Sequence, residues 1–427
     1  MTCKSSALCL FDEQDVQMDI VGNVVTEFHP SNTISPNAPI EFHIRGTTDD
    51  YLDLGDLRLL LQLEIIKTDG KKWDADDSVN FINQPISSVF QDVYLKIGNT
   101  QVEGGQHAYP YNGYLSSLLQ FHPSAKKTHM QSWGWNEDTP GKFDDVANNE
   151  GIQFRKKETE KGKVWEIMGP LFLDMTRQPR YLIPQTDVQL KFLPAKSEFV
   201  LQALGTNTAY NYNIKKCVLY ARRIHVMDSV VSGHNKGLEK YNAKYPLNHI
   251  DITTFSITKG MSTCIKDRLF TSQVPKMVVV GLLEHDAFNG NIKKSPFNFQ
   301  HFNLNNIALF RDGEMVPAQR FTPNYANDFF MCAYNNTMDT LNYFNTDDSN
   351  GMTIEHFLKG YNLYAFDLTP DSTNQGPHRH LIKSGSLRLE LGFSAPLAGP
   401  ITVMMFAVID AKLEVTKLRD LIMSYNR

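Results

Sequence analysis

The second half of this 427-residue chain repeats the first, faintly but in order. Leu173-Asp174-Met175-Thr176 is followed by Leu182-Ile183 and then by Val188-Gln189-Leu190. In the second half Phe366-Asp367-Leu368-Thr369 is followed by Leu381-Ile382 and then by Leu387-Arg388-Leu389. VYLKIG (93–98) is echoed by IALFRDG (307–313) with one residue inserted, and a short helical pattern follows each. ARRIHV (221–226), near the end of the first half, is answered by DAKLEV (410–415). The echoes keep their order and lie about 190 to 215 residues apart. Such a chain holds two copies of one unit, each somewhat under 200 residues.

The unit is built of strands. Ile40, Phe42 and Ile44 alternate with Glu41, His43 and Arg45, and Leu57, Leu59, Leu61, Leu63 and Ile65 repeat the alternation after a polar turn. A period of two puts one apolar face on each strand. Similar runs predict strands near 88–97, 164–173, 187–193 and 214–226. In the second half they predict strands near 250–257, 264–273, 276–285, 306–312, 361–368, 385–393 and 401–415. Helical pattern is sparse: 109–121, 325–344 and 415–423 are the candidates. Many strands with few helices mean a sandwich or barrel class. The expected fold is all-β, two tandem eight-stranded jelly rolls with long loops and a few short helices. The divisions read as an arm over 1–37, a first roll over 38–228, a linker over 229–247, a second roll over 248–416 and a tail over 417–427. The arm shows no sustained period and is expected to be dispensable for folding.

Composition narrows the function. A net charge of −5 argues against a protein that coats nucleic acid, and no apolar run approaches the roughly 18 residues of a membrane-spanning helix. Five cysteines (Cys3, Cys9, Cys217, Cys264, Cys332) without C-x-x-C spacing predict neither a disulfide framework nor a structural zinc site.

No specific catalytic constellation is present: G-x-S-x-G, the P-loop, G-x-G-x-x-G and H-E-x-x-H are all missing. Asp49, Asp50, Asp53 and Asp56 lack calcium-loop spacing and read as a solvated turn. His378-Arg379-His380 invites a cupin-type metal site, but its first downstream carboxylate, Glu390, is too distant, and STNQGPHRH reads as an exposed loop. Asp174 and Asp367 belong to different repeats and read as a shared turn or capping role. Trp133-Gly134-Trp135 reads as packing of its loop or of a neighbouring subunit, Lys236, Lys240 and Lys244 as a solvated surface, and Asn335-Asn336-Thr337 as a chance glycosylation sequon. No catalytic, cofactor-binding or metal-binding residue and no cofactor is therefore expected.

The block PIEFHI–turn–DDYLDLGDLRLLLQLEI (39–65), preceded by SALCLF (6–11), resembles the major capsid (hexon-like) proteins of Polinton/Maverick elements and adintoviruses. The resemblance takes in INQPISSVFQDVYLKIGNTQVEG (82–104), LFLDMTRQPRYLIPQTDVQLKF (171–192) and LYARRIHV (219–226). It implies a double jelly-roll structural protein, not an enzyme, whose pseudo-hexagonal homotrimers tile an icosahedral virion shell around double-stranded DNA. Neighbouring trimers, penton or vertex proteins and minor capsid proteins are the implied partners, without sequence-specific nucleic-acid binding. Assembly is implied to take place inside the host cell. The rivals are a jelly-roll metal-dependent enzyme, a carbohydrate-binding protein, or a minor or vertex capsid protein. If the repeat is real, Asp174 should fall near Asp367, Leu190 near Leu389 and Arg223 near Lys412.

Overall fold

The computed structural model describes residues 16–36, 38–73, 78–203, 209–270, 273–374, 376, 378–381 and 383–424. Sixteen strands make the frame. The first eight are β1 (Ile20–Phe28), β2 (Ile40–Ile44), β3 (Tyr51–Lys67), β4 (Phe90–Ile97), β5 (Thr100–Glu103), β6 (Trp165–Pro170), β7 (Val188–Pro194) and β8 (Tyr210–Val226). The second eight are β9 (Ala243–Ile257), β10 (Thr263–Leu269), β11 (Met277–Glu284), β12 (Leu304–Arg311), β13 (Glu314–Phe321), β14 (Leu363–Asp367), β15 (Leu387–Phe393) and β16 (Ile401–Val415).

The first eight form two four-stranded antiparallel sheets, ordered β1-β8-β3-β6 and β2-β7-β4-β5. The second eight form β9-β16-β11-β14 and β10-β15-β12-β13. Adding eight to every strand of the first roll gives the second, so the two rolls share one topology. Register carries the repeat to single residues. Leu95 of β4 lies opposite Leu190 of β7, and Leu309 of β12 lies opposite Leu389 of β15. Two echoes recognised separately are thus hydrogen-bonded neighbours in both rolls. Arg223 and Lys412 likewise both lie three residues before the end of their roll's last strand, opposite Val24 of β1 and Pro246 of β9.

Alternation fixes each interior. In the first roll Leu59, Leu61, Leu63 and Ile65 of β3 face Phe42, Leu95, Leu190 and Phe192 of the other sheet. In the second, Val278, Val280, Leu282, Val403, Met405 and Ala407 face Ile307, Leu309, Leu389 and Leu391. The central strands β11 and β16 are buried on both faces. This is why they read as the unbroken apolar runs MVVVGLL and ITVMMFAVI rather than as alternation.

Several boundaries differ from the sequence expectation. Residues 20–28, assigned to a structureless arm, are an edge strand paired with β8. Both its faces are largely open, so Val21, Val24 and Val25 are exposed and no apolar period marks it. Residues 1–15 of that arm lie outside the described residues. The expected linker contains helix Asp228–Leu238 and the start of β9. No helix forms over 415–423: β16 ends at Val415, the chain turns, and Leu421–Met423 pairs back on Leu413–Val415. The helical pattern at 109–121 is a helix over Tyr109–Gln120, called α1 below, and that at 325–344 is shorter, Met331–Thr340.

The Leu-Ile echo is not structural. Leu182 is fully buried and bonded through its backbone to Leu52, whereas Leu381 is 82% exposed and Ile382 lies outside the described residues.

Candidate functional site

The long excursion between β5 and β6 leaves the first roll and covers the outer face of sheet β9-β16-β11-β14. It carries α1 and α2 (Glu150–Thr159). α1 is buried on nearly every side, which explains its weak amphipathic pattern. Tyr111, Tyr114, Leu118, Trp135 and Phe143 pack on Val279, Leu363, Ala365, Met404 and Phe406. Phe297, from the second roll, stacks on Tyr114 with ring centroids 3.9 Å apart and planes 3° from parallel. Trp135 lies over the other side of Tyr114 at 5.3 Å. The seam between the rolls is therefore a third hydrophobic core.

Trp133 and Trp135 both pack their loop. Trp133 meets Phe121 at the edge of the seam and Phe172 of the first roll, bridging the two cores, and Trp135 is buried within the seam. Gly134 makes this possible. Its φ of 81° is left-handed, and a Cβ there would sit 2.4 Å from Cδ of Pro85.

Charges are buried beside this core. Arg155 of α2 is 1% exposed and pairs with Asp138 at 2.7 Å; its Nε and Nη1 donate to the carbonyls of Phe81 and Asn136 at 2.9 and 2.8 Å. Asn149 caps α2 by accepting from the Ile152 amide. Lys126 crosses the seam, donating to the carbonyls of Leu118 (2.8 Å) and Asn350 (2.6 Å), and burial lowers its pKa to about 8.

Asp174 also crosses the seam. Its Oδ2 lies 2.5 Å from Nδ1 of His249, and Oδ1 accepts from the Ile250 amide at 3.2 Å, both on β9. Glu103 accepts from the Asp174 and Met175 amides at 2.8 and 3.0 Å. Both carboxylates thus hold backbone, and the cluster ties the two rolls together. Asp367, by contrast, ends β14 and caps its own loop through Thr369 and Asn374. Asp174 lies four residues beyond β6 and Asp367 is the last residue of the equivalent strand β14, and the two do not share a role.

Burial and the Asp174 carboxylate push Glu103 up to about 8. His249 is also raised: burial opposes its charge, but the bond and attraction to Asp174 outweigh that. Burial raises Asp251 as well. Groups raised on folding stabilise most below their unfolded values and lose that contribution as pH rises through their folded ones. Lys126 is lowered and changes its contribution only above about pH 8. The contribution of this cluster is therefore expected to be lost as pH rises from about 5 to 8, against the opposite trend of His301 and His356, which burial lowers, and Glu103→Gln is expected to remove part of that loss relative to the parent. Denaturant unfolding across this range checks it; equal slopes in both proteins would overturn the assignment.

The remaining sequence candidates scatter. Asp56 pairs with Arg58 and Arg222, Asp50 with His225, and Asp53 accepts from the Gly55 amide. Among the described residues none of these joins a metal-ligating group. Lys236, Lys240 and Lys244 are exposed. Cys217, Cys264 and Cys332 are unpaired, and Cys3 and Cys9 lie outside the described residues. Thr337 of the sequon is buried in a helix, bonded to the Leu363 carbonyl. His378 and His380 stand in a loop, as expected, but they converge on Asp371. Among the described residues no helix is long and apolar enough to cross a membrane.

No protein-family model matches the sequence. The chain is 22% identical over 402 residues to an uncharacterized protein of Caenorhabditis elegans, covering 91% of this chain and 94% of the worm protein. It is similar to a chain in the cryo-EM structure of the Sputnik virophage, with a TM-score of 0.66 and 12% identity over 99% of this chain and 92% of that one. The Faustovirus major capsid protein gives 0.56 and 9% over 96% and 93%, and the mavirus major capsid protein 0.52 and 11% over 99% and 93%. At such identities the likeness is one of fold, and it runs through both rolls.

Proposed function

We propose that this chain is a major capsid protein that assembles as pseudo-hexagonal homotrimers into an icosahedral shell around double-stranded DNA. The observation that carries the reading is the pair of eight-stranded rolls with one strand order, joined by a buried seam in a single chain. The Faustovirus and mavirus major capsid proteins resemble it over nearly their whole length. Two similar lobes per chain, around a threefold axis, give six lobes and a near-hexagonal tile. The lobes are the rolls that run from β1 to β8 (20–226) and from β9 to β16 (243–415). The sequence blocks at 39–65, 82–104 and 171–192 favour the Polinton/Maverick and adintovirus lineage. The working place is then the virion, reached by assembly in the host cell beside vertex and minor capsid proteins.

Edge strand β1 supports self-association. Val21, Val24 and Val25 on it are 64%, 65% and 51% exposed, apolar surface that a neighbouring copy would cover. Obligate contacts of this kind bury about 2,000 Å² or more. Light scattering after size-exclusion chromatography of the full chain is expected to give three chains per particle, or multiples of three. A stable monomer at micromolar concentration would overturn the proposal and favour a jelly-roll enzyme or carbohydrate-binding protein.

A further inference from the structure

We propose that Asp371, His378 and His380 bind one divalent transition-metal ion of the zinc class, which closes the loop between β14 and β15 on itself. Nε2 of His378 lies 2.9 Å from Oδ2 of Asp371, and Nε2 of His380 lies 2.9 Å from Oδ1 of the same carboxylate. The three donor atoms lie within 4.8 Å of one another, and no other described residues bring three His, Cys, Asp or Glu side chains together this way. The cupin comparison fails because it looks for the carboxylate downstream. Here the carboxylate precedes the histidines by seven and nine residues, across a turn.

The geometry suits a metal. Zinc bonds of about 2.0–2.1 Å place tetrahedral ligand atoms roughly 3.3 Å apart, and the three donor atoms here lie within 4.8 Å of one another, so small side-chain adjustments bring them onto one ion. Two imidazoles and one carboxylate are the donor set of zinc, cobalt or nickel, whereas calcium and magnesium take oxygen. A second carboxylate stands behind the first histidine shell. Asp410 Oδ2 accepts from the His380 amide at 3.0 Å and lies 3.7 Å from Nδ1 of the His380 ring. At that distance Nδ1 makes no hydrogen bond, and a proton on it facing Asp410 would leave the Nε2 lone pair free for a metal. Lys276 holds Asp410 in place through its other oxygen at 3.0 Å.

The loop is anchored independently of any ion. Arg379, between the two ligands, turns away and donates to the carbonyls of Leu247 and Ala411, so its charge does not compete for the site. His380 is 13% exposed, while His378 and Asp371 are 52% and 44% exposed. One side of the ion would therefore face solvent, with room for water as a fourth ligand. An ion pair between the carboxylate and two imidazolium rings is the competing account, and exposed pairs of that kind contribute little. This inference does not depend on the capsid reading.

The test uses the full chain, stripped with EDTA and titrated with zinc or cobalt(II) alone. Calorimetry is expected to show one ion per chain, with zinc raising the thermal midpoint and magnesium leaving it unchanged. Asp410→Asn is expected to weaken zinc binding about tenfold or more, and His378→Ala more than that. His378 is half exposed, so its loss leaves the core intact; circular dichroism verifies the fold. Fewer than one ion per two chains, or equal zinc affinity in His378→Ala/His380→Ala and the parent, would overturn the site.

Discussion

Replacing Arg155 by Met lowers the stability of the folded chain by about 3–5 kcal/mol, the range for leaving a buried charge without its partner. The guanidinium is 1% exposed and uses three of its nitrogens. Nη2 bonds Asp138, Nε the Phe81 carbonyl and Nη1 the Asn136 carbonyl. Methionine matches the length of the arginine stem but supplies none of these donors. Asp138, itself 3% exposed, then holds a carboxylate in an apolar surround, and two carbonyls lose their bonds. Asp138→Leu combined with Arg155→Met removes both charges and is expected to recover a large part of the loss. Denaturant unfolding of the two single variants and the double variant measures the coupling. A single Arg155→Met loss below about 1 kcal/mol, or a double variant no more stable than the single, would show that the pair does not hold the loop.

What the sequence revealed, and what it hid, follows from the range of each interaction. Leu57 to Ile65 alternate because one sheet face is buried and the other is not, so their side of β3 could be read from periodicity alone. The order-preserving echoes placed β4 with β12 and β7 with β15 because a shared topology keeps the same apolar positions facing inward. β1 escaped because both its faces are largely open and burial imposes no pattern on it. The seam escaped for a different reason. Glu103 and Asp174 lie 71 residues apart within the first roll, and Asp174 meets His249, 75 residues further on, only across the seam. Arg155 sits in the run IQFRKKETEKGK, where nothing distinguishes it from the exposed lysines that follow. The unbroken apolar runs of β11 and β16 were the one local trace of the seam. A jelly-roll sheet that faced solvent would have alternated there.

Those runs make the seam the place to test whether the two rolls stand or fall together. Phe297→Ala is expected to cost about 3–5 kcal/mol from lost burial and the cavity left behind, plus about 0.5–1.5 kcal/mol for the ring pair with Tyr114. Phe297 is fully buried, belongs to the second roll, and contacts Tyr111, Tyr114 and Phe199 of the first. It lies outside the sheet-to-sheet cores of both rolls, so its loss weakens their docking rather than either interior. Calorimetry of the parent chain should then give one cooperative transition, because the second roll's sheet β9-β16-β11-β14 needs cover on its outer face. In Phe297→Ala the transition should broaden or divide, the second roll unfolding first, since β11 and β16 would face water with Val279, Met404 and Phe406. Tyr114→Ala should produce the same division, and the double variant should cost less than the sum of the two. Additive losses with a single sharp transition in every variant would mean that the stacked rings fill space without coupling the rolls.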